Sequence, residues 1–205
     1  MFNDRYGLTE AVLSGRKTQT RRIIPKSTLE KVDKFMVDYY NATFDMLTEM
    51  EALRHYFFVE KIGKLPFNVG EVVAVAQSYK DCGYGECAPI VSLDENGIAT
   101  FGSDAGSYNK MFVKADLMPH HIRITNVRVE RLQDISDEDC IKEGIYELPE
   151  EECFIPHTEY SFAGNPGVTF GFAKGAYENL IDRISGKGTW QSNPYVFVYD
   201  FELVD

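Results

Sequence analysis

The stretch HIRITNVRVERLQDISDEDCIKEG, His121–Gly144, decides the fold. Its first part alternates. Ile122, Ile124, Val127, Val129 and Leu132 fall on one apolar side, the period of a half-buried strand. One slip near Thr125–Asn126 predicts a bulge. The second part changes period. Ser136, with Asp139 three residues later, is close to a helix capping box with Asp in place of Glu. Asp137, Glu138 and Asp139 suit a first helical turn, and Gly144 stops the helix. Glu143 then sits at the helix C-terminus, where its carboxylate opposes the negative end of the dipole. The plain reading is an exposed surface Glu. A residue at an energetically poor place also hints at a second role.

Downstream, Pro149–Pro166 reads as loop. Phe172, Ala176, Tyr177, Leu180, Ile181 and Ile184 form one helix face that ends at Gly186. GKGTWQSNP is a loop, and Tyr195–Val204 a final strand. Upstream, Glu71–Lys80 reads as a buried strand and Lys110–Asp116 as another. Asp81–Ser107, rich in Gly, Asp and Asn, reads as a loop or hairpin with a strand at Ile98–Phe101. Leu8, Ala11 and Val12 give a short helix with Thr9 in the cap region and Gly15 as its stop. Thr18, Thr20, Ile23 and Ile24 then favour extended chain up to Pro25.

Lys26–Pro66 looks different. Leu29, Val32, Phe35 and Met36, and then Phe44, Leu47, Met50 and Leu53, recur at helical spacing. This predicts an insertion of one or two amphipathic helices, or a helix and a strand. Strands do not alternate regularly with helices, which excludes a doubly wound parallel sheet. The expectation is the α+β class. It is a small mixed β-barrel with helices at its rim, one domain over residues 1–205, with insertions at about 26–66 and a loop-rich one at about 81–107.

The chain has 205 residues, long enough for a real core without a disulfide or metal staple. No run approaches the ~18–20 apolar residues of a membrane span, and the first residues lack the apolar run of an export signal. A cytoplasmic location with no membrane partner is therefore expected. Cys82, Cys87, Cys140 and Cys153 follow no zinc spacing, so free thiols and no metal or cofactor are expected. His120–His121 reads as a polar strand start and Cys140 as a helix core residue. The net charge of −11 makes the chain a poor general binder of polyanions.

Against that acidity, Arg16, Lys17, Arg21 and Arg22 put four cations into seven residues. The plain reading is a solvated face. In a strand of a barrel, however, alternate residues turn inward, and buried cations need anionic or polar partners. A phosphate, a carboxylate or a nucleobase edge would serve.

GRKTQTRR, residues 15–22, resembles the signature of the ASCH domain, a family within the PUA-like superfamily of β-barrels. NVGEVVAVAQ at 68–77, RVERLQDISDEDCIKEG at 128–144 and GKGTWQSNPYVFVYDFEL at 186–203 agree with it. The resemblance implies a PUA-like barrel that binds RNA, a nucleoside or a nucleotide in a cavity around GRKTQTRR. One branch of the family consists of small bacterial amidohydrolases that remove the acetyl group from N4-acetylcytidine. Lys17, Thr20 and Glu143 match that branch's Lys, Thr and catalytic Glu. Its members are shorter and lack the helical insertion. A resemblance to longer family members of phage or prophage type implies a third possibility, an accessory protein whose 26–66 insertion binds another protein.

Chemically, an amide needs a nucleophile, a base and help for the leaving amine. Thr20 would supply the hydroxyl. Lys17 serves as base only if neutral. Burial and the neighbouring arginines favour that state, and a nearby Glu143 opposes it, so the base is either Lys17 or Glu143. Arg22 is placed to hold an oxyanion or a pyrimidine carbonyl. On a regular strand Lys17 and Thr20 face opposite ways, so they share a cavity only if the chain turns or bulges near Thr18–Gln19. Arg16, Arg21, Gln77, Ser78, Tyr79 and Trp190 are further candidates for ligand contact. Trp190 is either a stacking surface for a base or an aromatic plug at the barrel rim.

Overall fold

The computed structural model describes residues 2–84, 89–107, 109–149, 151, 159–165 and 167–204. Its elements, in order, are α1 (Leu8–Leu13), β1 (Gln19–Ile23), α2 (Lys26–Thr43), α3 (Glu49–Arg54), a π-type turn (His55–Val59) and β2 (Val72–Ala74). Then come β3 (Ile90–Leu93), β4 (Ala99–Phe101), β5 (His121–Arg131), α4 (Asp137–Lys142), β6 (Tyr146–Glu147), β7 (Tyr160–Ser161), α5 (Ala173–Ser185), α6 (Thr189–Ser192) and β8 (Tyr195–Leu203). The class is α+β, as the sequence leads one to expect.

The principal sheet has the order β1-β8-β5-β2, and every pair is antiparallel. It curls into a half-barrel and stays open, with β1 and β2 as its edges. The expected mixed pairing is therefore corrected: two-residue alternation fixes faces but not strand direction. The predicted bulge is present. The β5–β8 register shifts between Ile124 and Asn126, so Ile124 and Val127 both stay on the apolar side.

β8 lies between β1 and β5 and is buried on both faces, which explains its unbroken run Tyr195–Tyr199 of large apolar residues. Thr20 stands opposite Tyr199, and Arg22 opposite Phe197. Thr20 and Arg22 thus point to the sheet face carrying Tyr199, Phe197, Val127 and Val129. Gln19 and Arg21 point to the other face.

The 26–66 region is helical, without a strand. It contributes Val32, Ala52, Leu53, Tyr56 and Phe57 to the same core as the sheet. Phe57 meets Phe197 edge-on, with ring centroids 4.8 Å apart. Thr48 caps α3 in a reciprocal box with Glu51. Phe44 departs from the expected face. It ends α2 with φ +60° and is 80% exposed.

Three more expectations are corrected. The strand expected over Glu71–Lys80 is only Val72–Ala74, at the sheet edge; beyond it Tyr79 turns into a separate small core with Val113 and Met118. The strand expected over Lys110–Asp116 is two 3-10 turns, Lys110–Phe112 and Ala115–Leu117. The Asn109 side chain accepts from the Met111 N–H and winds the first one. Thr9 does not cap α1. Gly7 does, with φ +60°, and the Thr9 hydroxyl donates to Asp4. The expected hairpin at 81–107 is present as β3–β4. No helix among the described residues is long and apolar enough to cross a membrane. Cys82 and Cys140 are free thiols, and Cys87 and Cys153 lie outside the described residues.

Candidate active site

Gly15 ends α1 with φ +73°. The chain then folds back. The Lys17 N–H donates to the Ala11 carbonyl at 2.8 Å, and the Thr18 N–H to the Lys142 carbonyl at 3.0 Å. β1 begins only at Gln19. Lys17 therefore lies in a turn rather than in the strand, and alternation does not force it away from Thr20.

Lys17 is 2% exposed and Glu143 5%. Lys17 Nζ donates to Glu143 Oε2 at 2.6 Å and to the Glu143 backbone carbonyl, also at 2.6 Å. The ammonium thus meets both the carboxylate and the end of α4, where a cation is favourable. This accounts for a Glu at a helix C-terminus: a buried cation compensates it. Gly144 closes the turn with φ +108°. A Cβ there would stand 3.1 Å from Leu8 Cδ2 and 3.7 Å from Lys17 Cδ, so both conformation and space call for glycine.

Arg21 is buried between carboxylates. Its Nη1 donates to Glu143 Oε1 at 3.1 Å and to Gln19 Oε1. Its Nε and Nη2 donate to Glu130 Oε1 at 2.9 and 2.6 Å, and Nη2 also reaches Asp139 Oδ2 at 3.1 Å. Arg128 extends the network to Asp139 at 2.7 Å and Asp200 at 2.9 Å. Burial alone would lower the Arg21 pKa, but Glu143 and Glu130 more than offset it, and the guanidinium is held charged. For Lys17 burial wins. Its pKa is lowered, against the opposing pull of Glu143 and with help from Arg22 and Arg21.

A cavity of about 250 Å³ opens along the free edge of β1, between Phe2, Leu8 and α5. Lys17, Thr20, Arg21, Arg22, Glu143 and Tyr177 all border it. Tyr177 is fully buried, and burial, with the nearby Glu143 charge, pushes its phenol well above the usual range. It remains a donor at neutral pH. The Lys17 ammonium also lies 5.9 Å from the Phe2 ring centroid.

The other sequence candidates are placed elsewhere. Arg16 is exposed, donates to Ser14 Oγ at 3.2 Å and sits over the Tyr146 ring. Gln77, Ser78 and Tyr79 are not among the cavity walls. Ser78 pairs with Asp81, and Tyr79 packs in the second core. Trp190 is buried in α6, edge-on to Tyr177 at 6.3 Å between centroids, and it braces the helix behind the cavity. Burial pushes the Cys140 thiol up to about 12. Among the described residues no group of three or more His, Cys, Asp or Glu could hold a metal ion.

Sequence reading alone passes over Tyr177, Glu130, Asp139 and Arg128 as parts of this site. Tyr177 resembles any other apolar position on the α5 face. Arg128 and Glu130 occupy the outward positions of β5, which read as solvated. Their only signal is that Arg21, on β1 beyond the intervening β8, carries a charge that needs partners.

No family model, curated protein or solved structure matches this chain.

Proposed function

We propose that this chain is an amidohydrolase that removes a small acyl group from a base nitrogen of a nucleoside, and that its half-barrel is PUA-like and of the ASCH type. The observation that carries the reading is the meeting of Lys17, Thr20 and Glu143 at one cavity, with a 2.6 Å Lys17–Glu143 contact buried in its wall. The substrate class comes from the resemblance of GRKTQTRR and ISDEDCIKEG to that family. The cavity's ~250 Å³ lies just below the ~300–1,000 Å³ usual for small-molecule pockets and suits a ligand of nucleoside size. Arg21 is occupied by carboxylates, which weighs against a strand of RNA as the ligand.

The chemistry closes without a cofactor. In the first step a proton crosses the 2.6 Å contact from the Lys17 ammonium to the Glu143 carboxylate, and burial, which lowers the Lys17 pKa, helps the amine give it up. The Thr20 oxygen attacks the acyl carbon, and its proton passes to Lys17. Arg22, on the cavity wall, faces the developing oxyanion. The C–N bond breaks as the nitrogen takes the Glu143 proton, leaving the free amine and an ester on Thr20. Water then attacks that ester, giving its proton to the Glu143 carboxylate. The Thr20 oxygen recovers a proton from Lys17, the carboxylic acid leaves, and the neutral amine and protonated Glu143 return.

The test is mass spectrometry of acid-quenched enzyme after mixing with N4-acetylcytidine. One acetyl group on Thr20 is the expected result. Thr20→Ser retains part of the turnover, and Thr20→Val lowers it about a thousandfold or more. Full turnover in Thr20→Val would show that another group is the nucleophile.

A further inference from the structure

A second, smaller chamber of about 30 Å³ abuts the first. Phe2, Thr20 and Arg22 border both. The small chamber lies on the sheet face to which Thr20 points, and Val73, Ala74, Ala76, Ile122 and Ile124 make its walls aliphatic. Thr20 thus stands at a boundary. On one side is a polar cavity with Lys17, Glu143 and Tyr177, and on the other an apolar recess. A single water needs ~10–15 Å³ of such space, so the recess has room for about two or three groups of that size, enough for the carbonyl oxygen and methyl of an acetyl group. Apolar walls make it a poor home for water and a good one for a methyl group.

Tyr199, the cross-strand partner of Thr20, closes the recess beside it. Its buried hydroxyl has the Phe67 backbone N–H beside its oxygen but no acceptor for its own proton. A buried donor left unmet is costly and calls for an explanation, and a carbonyl entering beside Thr20 brings an acceptor to it.

We infer that this recess is the acyl subsite and that it selects acetyl over longer acyl groups, with Val73 and Ala76 as the residues that set chain length. The inference rests on the hydrolase reading for the position of the scissile carbon. The nucleoside lies in the larger cavity, the acyl carbon at Thr20, and the acyl methyl between the aliphatic walls.

The experiment compares N4-acetyl-, N4-propionyl- and N4-butyryl-cytidine on the full chain, by turnover and by calorimetric binding. Wild type is expected to favour acetyl by about tenfold or more for each added methylene. Val73→Ala is expected to raise the propionyl-to-acetyl ratio about tenfold, and Ala76→Val to weaken acetyl itself by a similar factor. The opposite signs keep the test valid if one variant fails to fold. Acetyl-selective binding without turnover would sink the hydrolase reading and leave the subsite standing. Turnover or binding indifferent to chain length would overturn the subsite, as would failure of all three compounds to bind.

Discussion

Lys17 and Asp139 both make stability rise with pH, in separate windows. The Lys17 pKa lies below its ordinary 10.5, because burial outweighs the pull of Glu143. Between that lowered value and 10.5 the unfolded chain holds the extra proton, so stability rises with pH across the interval. Burial alone would raise the Asp139 pKa. Hydrogen bonds from Lys142 and Arg21 outweigh it and hold the carboxyl below its ordinary 3.8. Its contribution is present above 3.8 and is lost as pH falls through the lowered value. Thermal unfolding as a function of pH should show both trends. The alkaline gain should vanish in Lys17→Met, and the acid loss should shrink in Asp139→Asn. An unchanged alkaline profile in Lys17→Met would mean that Lys17 does not titrate abnormally. Part of this was legible in the sequence: Glu143 at a helix C-terminus announces an unsatisfied charge. That Lys17 answers it, 126 positions away, comes only with the fold.

At the scale of elements, the clearest sequence signals have local causes. The alternation of β5, its bulge, the Ser136 cap and the Gly144 stop each depend on neighbouring residues, and each is found where the sequence puts it. The failures are elements whose fate is decided elsewhere. Lys110–Asp116 alternates but has no strand to pair with, and Glu71–Lys80 leaves the sheet after three residues. The insertion is legible as helices but not as part of the core. Its Leu53 is 1% exposed within the cluster that holds β8. Leu53→Ala is therefore expected to cost about 2–5 kcal/mol in chemical denaturation and to shift a single cooperative transition. An early separate transition, with the main one unmoved, would make the insertion an independent unit.

For the whole molecule, charge and cavity agree. A chain of −11 whose buried arginine is already neutralised by carboxylates has little to offer a phosphate backbone. Titration with a single-stranded RNA oligonucleotide at physiological salt is expected to give a Kd no tighter than about 10⁻⁴ M, the weak end of non-specific binding. Micromolar RNA binding with a steep salt dependence would favour a strand-binding role instead. The general α+β class was readable from element order. The open antiparallel sheet and the two chambers meeting at Thr20 were not, since both depend on which strands become edges. The most direct measurement of the central claim follows the ultraviolet change of N4-acetylcytidine to cytidine, with wild type and Lys17→Ala side by side. Turnover in wild type that is lost in Lys17→Ala is the predicted result. No turnover at high enzyme concentration, or equal turnover in both proteins, would contradict a hydrolytic site built on Lys17, Thr20 and Glu143.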